Sequence, residues 1–221
     1  MSTTDNRNFN ATNSSVPAGS YTVHAYCNDT SGNNNSNSTV FTVDITFPTI
    51  SIISPANTTY NNATRLLNIS SNGNNIWYKW NVTNQTYTSA VNIAFAEGSN
   101  TLYAWANDSA GNLNSTNVTF KVDTVFPQIS FGSGTSNNNS ALNQTYIYVN
   151  VSVIETNLAN ITFRLSNLTA LVNSTNYSSL VTSINWTSLP YTNYTYNVSV
   201  YDLAGNYNST DSRRIILNDS L

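Results

Sequence analysis

Residues 98–112 read GSNTLYAWANDSAGN, a strand-length alternation of side chains that runs directly into turn chemistry. Successive residues of an extended chain point to opposite faces, so Leu102, Ala104 and Ala106 share one side while Tyr103 and Trp105 share the other. The DSAGN that follows, from Asp108 to Asn112, suits a tight reversal. Asp can accept from the backbone two residues on, and Gly and Asn tolerate positive φ. The stretch predicts a hairpin whose return strand, over 118–123, carries Phe120 and Val122 inward.

The same pattern is written twice more. Residues 19–33 read GSYTVHAYCNDTSGN, which places Val23, Ala25 and Cys27 in a core, with a return strand over 40–44 turning Phe41 and Val43 inward. Residues 191–206 end in VSVYDLAGN, with Tyr196, Val198 and Val200 inward and a return strand over 214–218 that buries Ile215 and Leu217. By subtraction Gly19 and Gly98, Asp29 and Asp108, Asp44 and Asp123, and Pro48 and Pro127 are all 79 apart, and Asp108 and Asp202 are 94 apart. Self-similarity at this spacing indicates modules of domain size. It divides the chain into a partial unit over 1–46, holding only the last two or three strands, and two full units over 47–125 and 126–221.

Further strands can be placed upstream of each hairpin in the full units. Residues 50–53 and 129–131 open them, 65–70 and 146–153 follow with Leu67, Ile69, Val149, Val151 and Val153 inward, and 76–82 and 161–165 form third strands. Ile76, Tyr78 and Trp80 should then match Ile161, Phe163 and Leu165. Short strands, turn signals every 8 to 12 residues or so and no helical period predict an all-β chain. The expected fold is a series of tandem immunoglobulin-like antiparallel β-sandwiches with Greek-key topology. The linkers at 45–47 and 124–126 each run from a strand-end Asp into Pro, which fixes φ and keeps its predecessor extended, so joints of limited swing and a rod are expected.

The D-x-A-G-N hairpin, the closing Val-Asp strand end and the Phe-Pro-x-Ile opening that follows it, as at Phe47-Pro48-Thr49-Ile50, together resemble prokaryotic Ig-like surface repeats. The resemblance covers nearly the whole chain. It implies a tandem array in a bacterial or archaeal surface protein, adhesin or large secreted protein, where such repeats commonly act as spacers. The third unit departs from the pattern, with Tyr201 where its siblings have Asn28 and Asn107, and with no proline after Leu217, Asn218 and Asp219. The partial first unit leads us to expect either further repeat sequence in the same gene or missing strands supplied by edge addition from a neighbour.

Composition narrows the partners. Charged residues make up 8% of the 221, against roughly a quarter in ordinary domains, and the net charge is −3, so no basic face exists for a nucleic-acid backbone. Apolar residues at 39%, with 14 Tyr and 4 Trp in alternating runs, argue against disorder despite the Asn, Ser and Thr richness. Cys27 is the single cysteine, so no intrachain disulfide can form and each core must hold by packing. No window reaches the apolar length of a membrane span, and residues 1–20 lack the apolar centre of a signal peptide. An extracellular or secreted location then requires an export signal beyond these residues.

Catalytic chemistry finds no constellation, and no cofactor site is expected. His24 is the only histidine and sits at an outward strand position, Cys27 reads as a core hydrophobe, and Glu97 and Glu155 stand isolated in different units. Asp29, Asp44, Asp108, Asp123, Asp202 and Asp219 lie near strand ends, but one or two carboxylates per place are few for calcium.

The dense motif is Asn-x-Ser/Thr, with about 25 acceptor triplets by the rule that excludes Pro. Candidate glycosylation sites on strands or turns are Asn28, Asn68, Asn81, Asn107, Asn117, Asn150, Asn160, Asn197 and Asn208. Tyr26, Trp77, Tyr103 and Trp105 are expected outward, either as an aromatic surface for sugar or protein or as rings packed under glycans or at a junction. The expected function is a spacer, stalk or coat segment of an extracellular glycoprotein whose partners are neighbouring repeats. The alternative is an adhesin module that binds glycan or protein.

Overall fold

A computed structural model describes residues 2–3, 9–10 and 12–219, with side chains from residue 12 onward. All regular structure among these residues is strand. In chain order the strands are β1 (Ser2–Thr3), β2 (Phe9–Asn10), β3 (Gly19–Asn28), β4 (Asn34–Val43), β5 (Ile50–Ser54), β6 (Thr59–Tyr60) and β7 (Thr64–Ser71). Next come β8 (Asn75–Lys79), β9 (Gln85–Thr86), β10 (Val91–Ala94), β11 (Gly98–Asn107), β12 (Leu113–Val122), β13 (Gln128–Phe131) and β14 (Ser140–Leu142). The last are β15 (Ile147–Ile154), β16 (Leu158–Asn167), β17 (Leu171–Tyr177), β18 (Ser183–Trp186), β19 (Asn193–Asp202), β20 (Tyr207–Ser209) and β21 (Arg213–Leu217).

The middle segment carries sheets of order β10-β7-β5 and β6-β12-β11-β8-β9. The last segment carries β13-β15-β18 and β14-β21-β19-β16-β17, with β20 also on β19. Neighbours such as β10 and β7, or β16 and β19, are not consecutive, so connections cross between sheets in the Greek-key manner of an immunoglobulin-like fold. Two short pairings are parallel, which strand periodicity does not predict: Thr59 and Tyr60 beside Lys121 and Val122, and Ser140 to Leu142 beside Ile215 to Leu217.

By backbone proximity the residues fall into two compact units. The first comprises the chain up to Ser54, Leu67–Val91 and Leu102–Val118; the second comprises Pro55–Leu66, Asn92–Thr101 and the chain from Thr119 onward. In the first unit Leu67, Ile69, Leu102, Ala104 and Ala106 are buried. Tyr87 reaches into that interior, where its hydroxyl accepts from the Ile69 amide and donates to Asn68 Oδ1, and its ring meets Tyr78 edge-on.

The second unit holds the larger core. Ile147, Val149 and Val151 of β15 and Trp186 of β18 pack with Ile161, Phe163 and Leu165 of β16, with Tyr196, Val198 and Val200 of β19, and with Ile215 and Leu217 of β21. The inward set has period two on every strand, which is how a sandwich fills the space between its sheets. Phe95 and Phe120, both buried, meet at right angles with centroids 4.8 Å apart.

The structure corrects several expectations. Val23 is 50% exposed and Phe41 39%, Ala25 and Cys27 are exposed, and Val43 is half-buried. The alternation in β3 is sound, but β3 and β4 pair only with each other among the described residues, so no second layer covers the face that Leu102, Ala104 and Ala106 bury in the middle copy. Cys27 is therefore an exposed thiol rather than a core hydrophobe. The return strands begin earlier than turn chemistry alone suggested, at Asn34 and Leu113. The third return is broken: β20 pairs with Ser199 to Tyr201, the chain leaves the ladder over 210–212, and β21 rejoins it opposite Asn193 to Tyr196. Ile76, Tyr78 and Trp80 are only half-buried, unlike Ile161, Phe163 and Leu165.

Candidate functional site

The three turns share one geometry. In each, the Asp carbonyl accepts from the Gly amide and the Asp amide donates to the Asn carbonyl: Asp29 with Gly32 and Asn33, Asp108 with Gly111 and Asn112, Asp202 with Gly205 and Asn206. The three glycines have φ of 87°, 91° and 88°, the left-handed region where a Cβ is disfavoured, so Gly is demanded there. The Asp carboxylate clasps the turn from inside. Asp202 Oδ1 accepts from the amides of Ala204 and Asn206, and its Oδ2 takes the Asn206 side-chain amide at 2.7 Å. Asp108 does the same with Ala110 and Asn112, and Asp29 with Ser31 and Asn33.

The carboxyls of Asp29 and Asp108 are held below the ordinary 3.8, first by the side-chain amides of Asn33 and Asn112 and also by surrounding backbone amides. Hydrogen bonds to the charged form favour it over the protonated one.

Two of the turns hold something more. The Asn112 side chain donates to the Asp44 carbonyl at 3.0 Å, and Asn114, two residues on, donates to the Pro48 carbonyl at 2.8 Å. In the third copy Asn206 donates to the Asp123 carbonyl at 2.8 Å and to Val125 at 3.3 Å, and Asn208 donates to Pro127 at 2.8 Å. The same pair of asparagines thus grips both ends of the linker that leads into its own segment. Asn33 and Asn35 occupy the matching places in the first hairpin, with side-chain bonds to Asp29 and Ser36.

A second repeated device lies at the start of the same strands. Tyr21 donates to the Pro17 carbonyl at 2.9 Å and Tyr194 to Pro190 at 3.0 Å, while Asn100, at the equivalent place, donates to Ala96 at 2.8 Å. A tyrosine hydroxyl bonded to backbone a few residues upstream is the tyrosine corner of immunoglobulin-like sandwiches. Sequence reasoning passed over it, although Tyr21 and Tyr194 stand at matching positions four residues after a proline.

The outward aromatics are arranged in a ladder. Trp105 of β11 lies directly opposite Trp77 of β8, and Tyr103 lies opposite Lys79. Trp77 and Trp105 are near-parallel at 12° with centroids 6.4 Å apart; Tyr103 and Trp105 are near-parallel at 19° and 5.9 Å. Tyr103 is exposed and the two indoles are half-buried. Beside Trp77 opens a shallow concavity of about 320 Å³, lined also by Asn75, Asn84, Gln85 and Thr86. In the first hairpin Tyr26 is 78% exposed and near-parallel to His24.

The candidate acceptor asparagines differ in their surroundings. Asn28, Asn81 and Asn117 are exposed; Asn68, Asn107, Asn160 and Asn197 are half-buried. Asn150 and Asn208 already use their amide nitrogens, the first toward the Ser133 carbonyl at 3.0 Å and the second in the linker grip.

A cleft of about 590 Å³ lies in the second unit, with Thr59, Lys121, Asp123, Asn157 and both Glu97 and Glu155 on its walls. Two glutamates that sequence separation made isolated therefore converge. Their carboxylates are engaged with backbone: Glu97 accepts from the Thr124 amide and hydroxyl, and Glu155 from the Asn157 amide. Among the described residues no group of three or more His, Cys, Asp or Glu could hold a metal ion.

Residues 47–124 match the family model of the bacterial Ig-like domain. No curated protein matches the chain in sequence. Among solved structures, a marsupial T cell receptor is 9% identical with a TM-score of 0.51, the match covering 77% of this chain and 73% of the receptor's. The fibronectin(III)-like modules of Clostridium thermocellum CbhA are 16% identical with a TM-score of 0.45, over 77% of this chain and 94% of theirs. Murine CEACAM1b is 11% identical with a TM-score of 0.46, over 77% and 100%. At these identities the likeness is one of fold alone. The chain thus has an all-β, immunoglobulin-like fold, and within it residues 47–124 are similar to the bacterial Ig-like domain.

Proposed function

We propose that this chain is a spacer segment of an extracellular cell-surface protein, with successive modules over 47–125 and 126–221 behind a partial one over 1–46, and with N-linked sugars on its exposed acceptors. The observation that carries this reading is the linker grip. A spacer must keep its joints defined without a large apolar interface, and each joint has its backbone carbonyls tied by two asparagines of the following hairpin. Amides and hydroxyls in place of charge hydrate such a surface without long-range attraction to other molecules. Asn28, Asn81 and Asn117, exposed and in acceptor triplets, are the positions proposed for glycans.

Surface protease shaving of intact native cells, followed by peptide and glycopeptide mass spectrometry, tests the reading. Peptides of this chain should be released from unbroken cells, with glycan on at least one of those three asparagines. Release only after lysis would overturn the extracellular assignment, and three bare asparagines in shaved peptides would overturn the glycan assignment. A recognition role is favoured by one observation, the aromatic ladder on β8 and β11.

A further inference from the structure

We propose that the outward face of β8 and β11, built on Trp77, Trp105 and Tyr103, is a carbohydrate-stacking site for a neutral pyranose chain. This goes beyond the spacer reading and does not depend on it.

The fold does not require aromatics there. The same positions can be read in the third hairpin, where the register pairs Thr162 with Ser199 and Arg164 with Asn197. Those are the counterparts of Trp77 with Trp105 and Lys79 with Tyr103. The last segment therefore builds this face from polar side chains, with Ser199 buried, and the middle segment from three near-parallel rings, so strand pairing itself does not demand aromatics. The first hairpin repeats the choice with His24 and Tyr26, near-parallel at 20°.

The chemistry around the rings selects the ligand. A pyranose offers a face of C–H groups, which an aromatic face accepts, and a rim of hydroxyls, which need amide and hydroxyl partners. The concavity beside Trp77 supplies Asn75, Asn84, Gln85 and Thr86, with no carboxylate among its lining residues. Asn75 is itself bonded to Asn107 across the strands, which fixes the orientation of both amides. Lys79 is the one charge in this register, too little to select an anionic polymer. Rings near 6 Å apart in two directions form a strip along which consecutive sugars can lie.

The test uses the chain made in a host without N-glycosylation, titrated with cellohexaose and with N-acetylchitohexaose while indole fluorescence is followed. Hexagalacturonate serves as the anionic control. At least one neutral hexasaccharide should bind, Trp77→Thr with Trp105→Ser should weaken it at least ten-fold, and Tyr103→Asn alone at least three-fold. Tyr103 is exposed, so its variant keeps the question answerable should the double variant unfold. No neutral binding at millimolar sugar, binding of hexagalacturonate alone, or binding unchanged in both variants would overturn the site. So would self-association in sedimentation velocity that disappears in Tyr103→Asn, which would make the face a protein interface instead.

Discussion

Replacing Asn206 by Ala should destabilise the last segment far more than the matching change at Asn112. Asn206 is 2% exposed, and its amide nitrogen donates to Asp202 Oδ2 at 2.7 Å and to the Asp123 carbonyl at 2.8 Å, with Val125 as a third acceptor. Asp202 is also 2% exposed. A hydrogen bond to a charged group contributes about 1.5–3 kcal/mol and a neutral one about 0.5–1.5, so the loss should be roughly 2–4 kcal/mol. Asn112 makes the same two kinds of bond, but it and Asp108 are both only half-buried, within reach of water that can replace the lost donor, so a smaller loss is expected.

For a segment near a hundred residues, each kcal/mol shifts the midpoint by about 4–8 °C. Asn206→Ala should then lower the melting of the last segment by about 8–32 °C. Trp186 reports it, being 7% exposed in that core and bonded through its indole nitrogen to Asn173. Equal small shifts for Asn206→Ala and Asn112→Ala would refute the reasoning, because they would mean that the buried amide contributes nothing to the turn or to the linker.

Five further outcomes rest on burial and hydrogen bonding elsewhere in the chain. Phe163→Ala, at a position fully excluded from water, should cost about 3–5 kcal/mol in urea unfolding; Val23→Ala, in the uncovered first hairpin, should change stability by less than about 0.5 kcal/mol, and a large effect there would show that its face is covered. Carboxyl carbon titration should place Asp108 below 3.8, because the Asn112 side chain holds the charged form. A lowered folded value contributes stability that is present above the ordinary value and is lost as pH falls through the lowered one, so the turn clasp should release only below pH 3.8; titration at or above 3.8 would contradict the clasp. The Tyr196 hydroxyl is pushed above 10 by burial, partly offset by Arg213, so its stabilising term is complete below pH 10 and is lost as pH rises through the folded value. Ultraviolet titration should find a late-ionising tyrosine that becomes ordinary in Tyr194→Phe only if that change unfolds the segment. Tyr194→Phe itself removes the bond to Pro190 and should cost about 1 kcal/mol by thermal melting.

Strand phase was legible wherever a second sheet exists. Leu102, Ala104, Ala106, Val198, Val200, Ile215 and Leu217 are all inward because period-two alternation is a property of the strand itself. Val23 and Cys27 have the same alternation but no covering layer among the described residues, and burial depends on that layer, which local pattern does not encode. The turn residues were legible as a turn, since Asp and Gly act within five residues. Their asparagines were not legible as a linker grip, because Asn206 and Asp123 meet across 83 residues. The spacing hid it further: by subtraction Asn112 lies 64 residues after Pro48, whereas Asn206 lies 79 after Pro127. Asn150 and Asn208 read as acceptors from their triplets, yet their amides are engaged by loop carbonyls that the triplet does not locate. The convergence of Glu97 and Glu155 was hidden for the same reason of distance along the chain.

Hydrogen exchange of the side-chain amides, followed by NMR on the intact chain, reads the grip itself. Asn206 and Asn208 should exchange far more slowly than Asn33 and Asn35, which have the same turn around them but, among the described residues, no bond to a linker carbonyl. Exchange of all four amides at one common, solvent-like rate would contradict the claim that these hairpins bind the strand leading into their own segment.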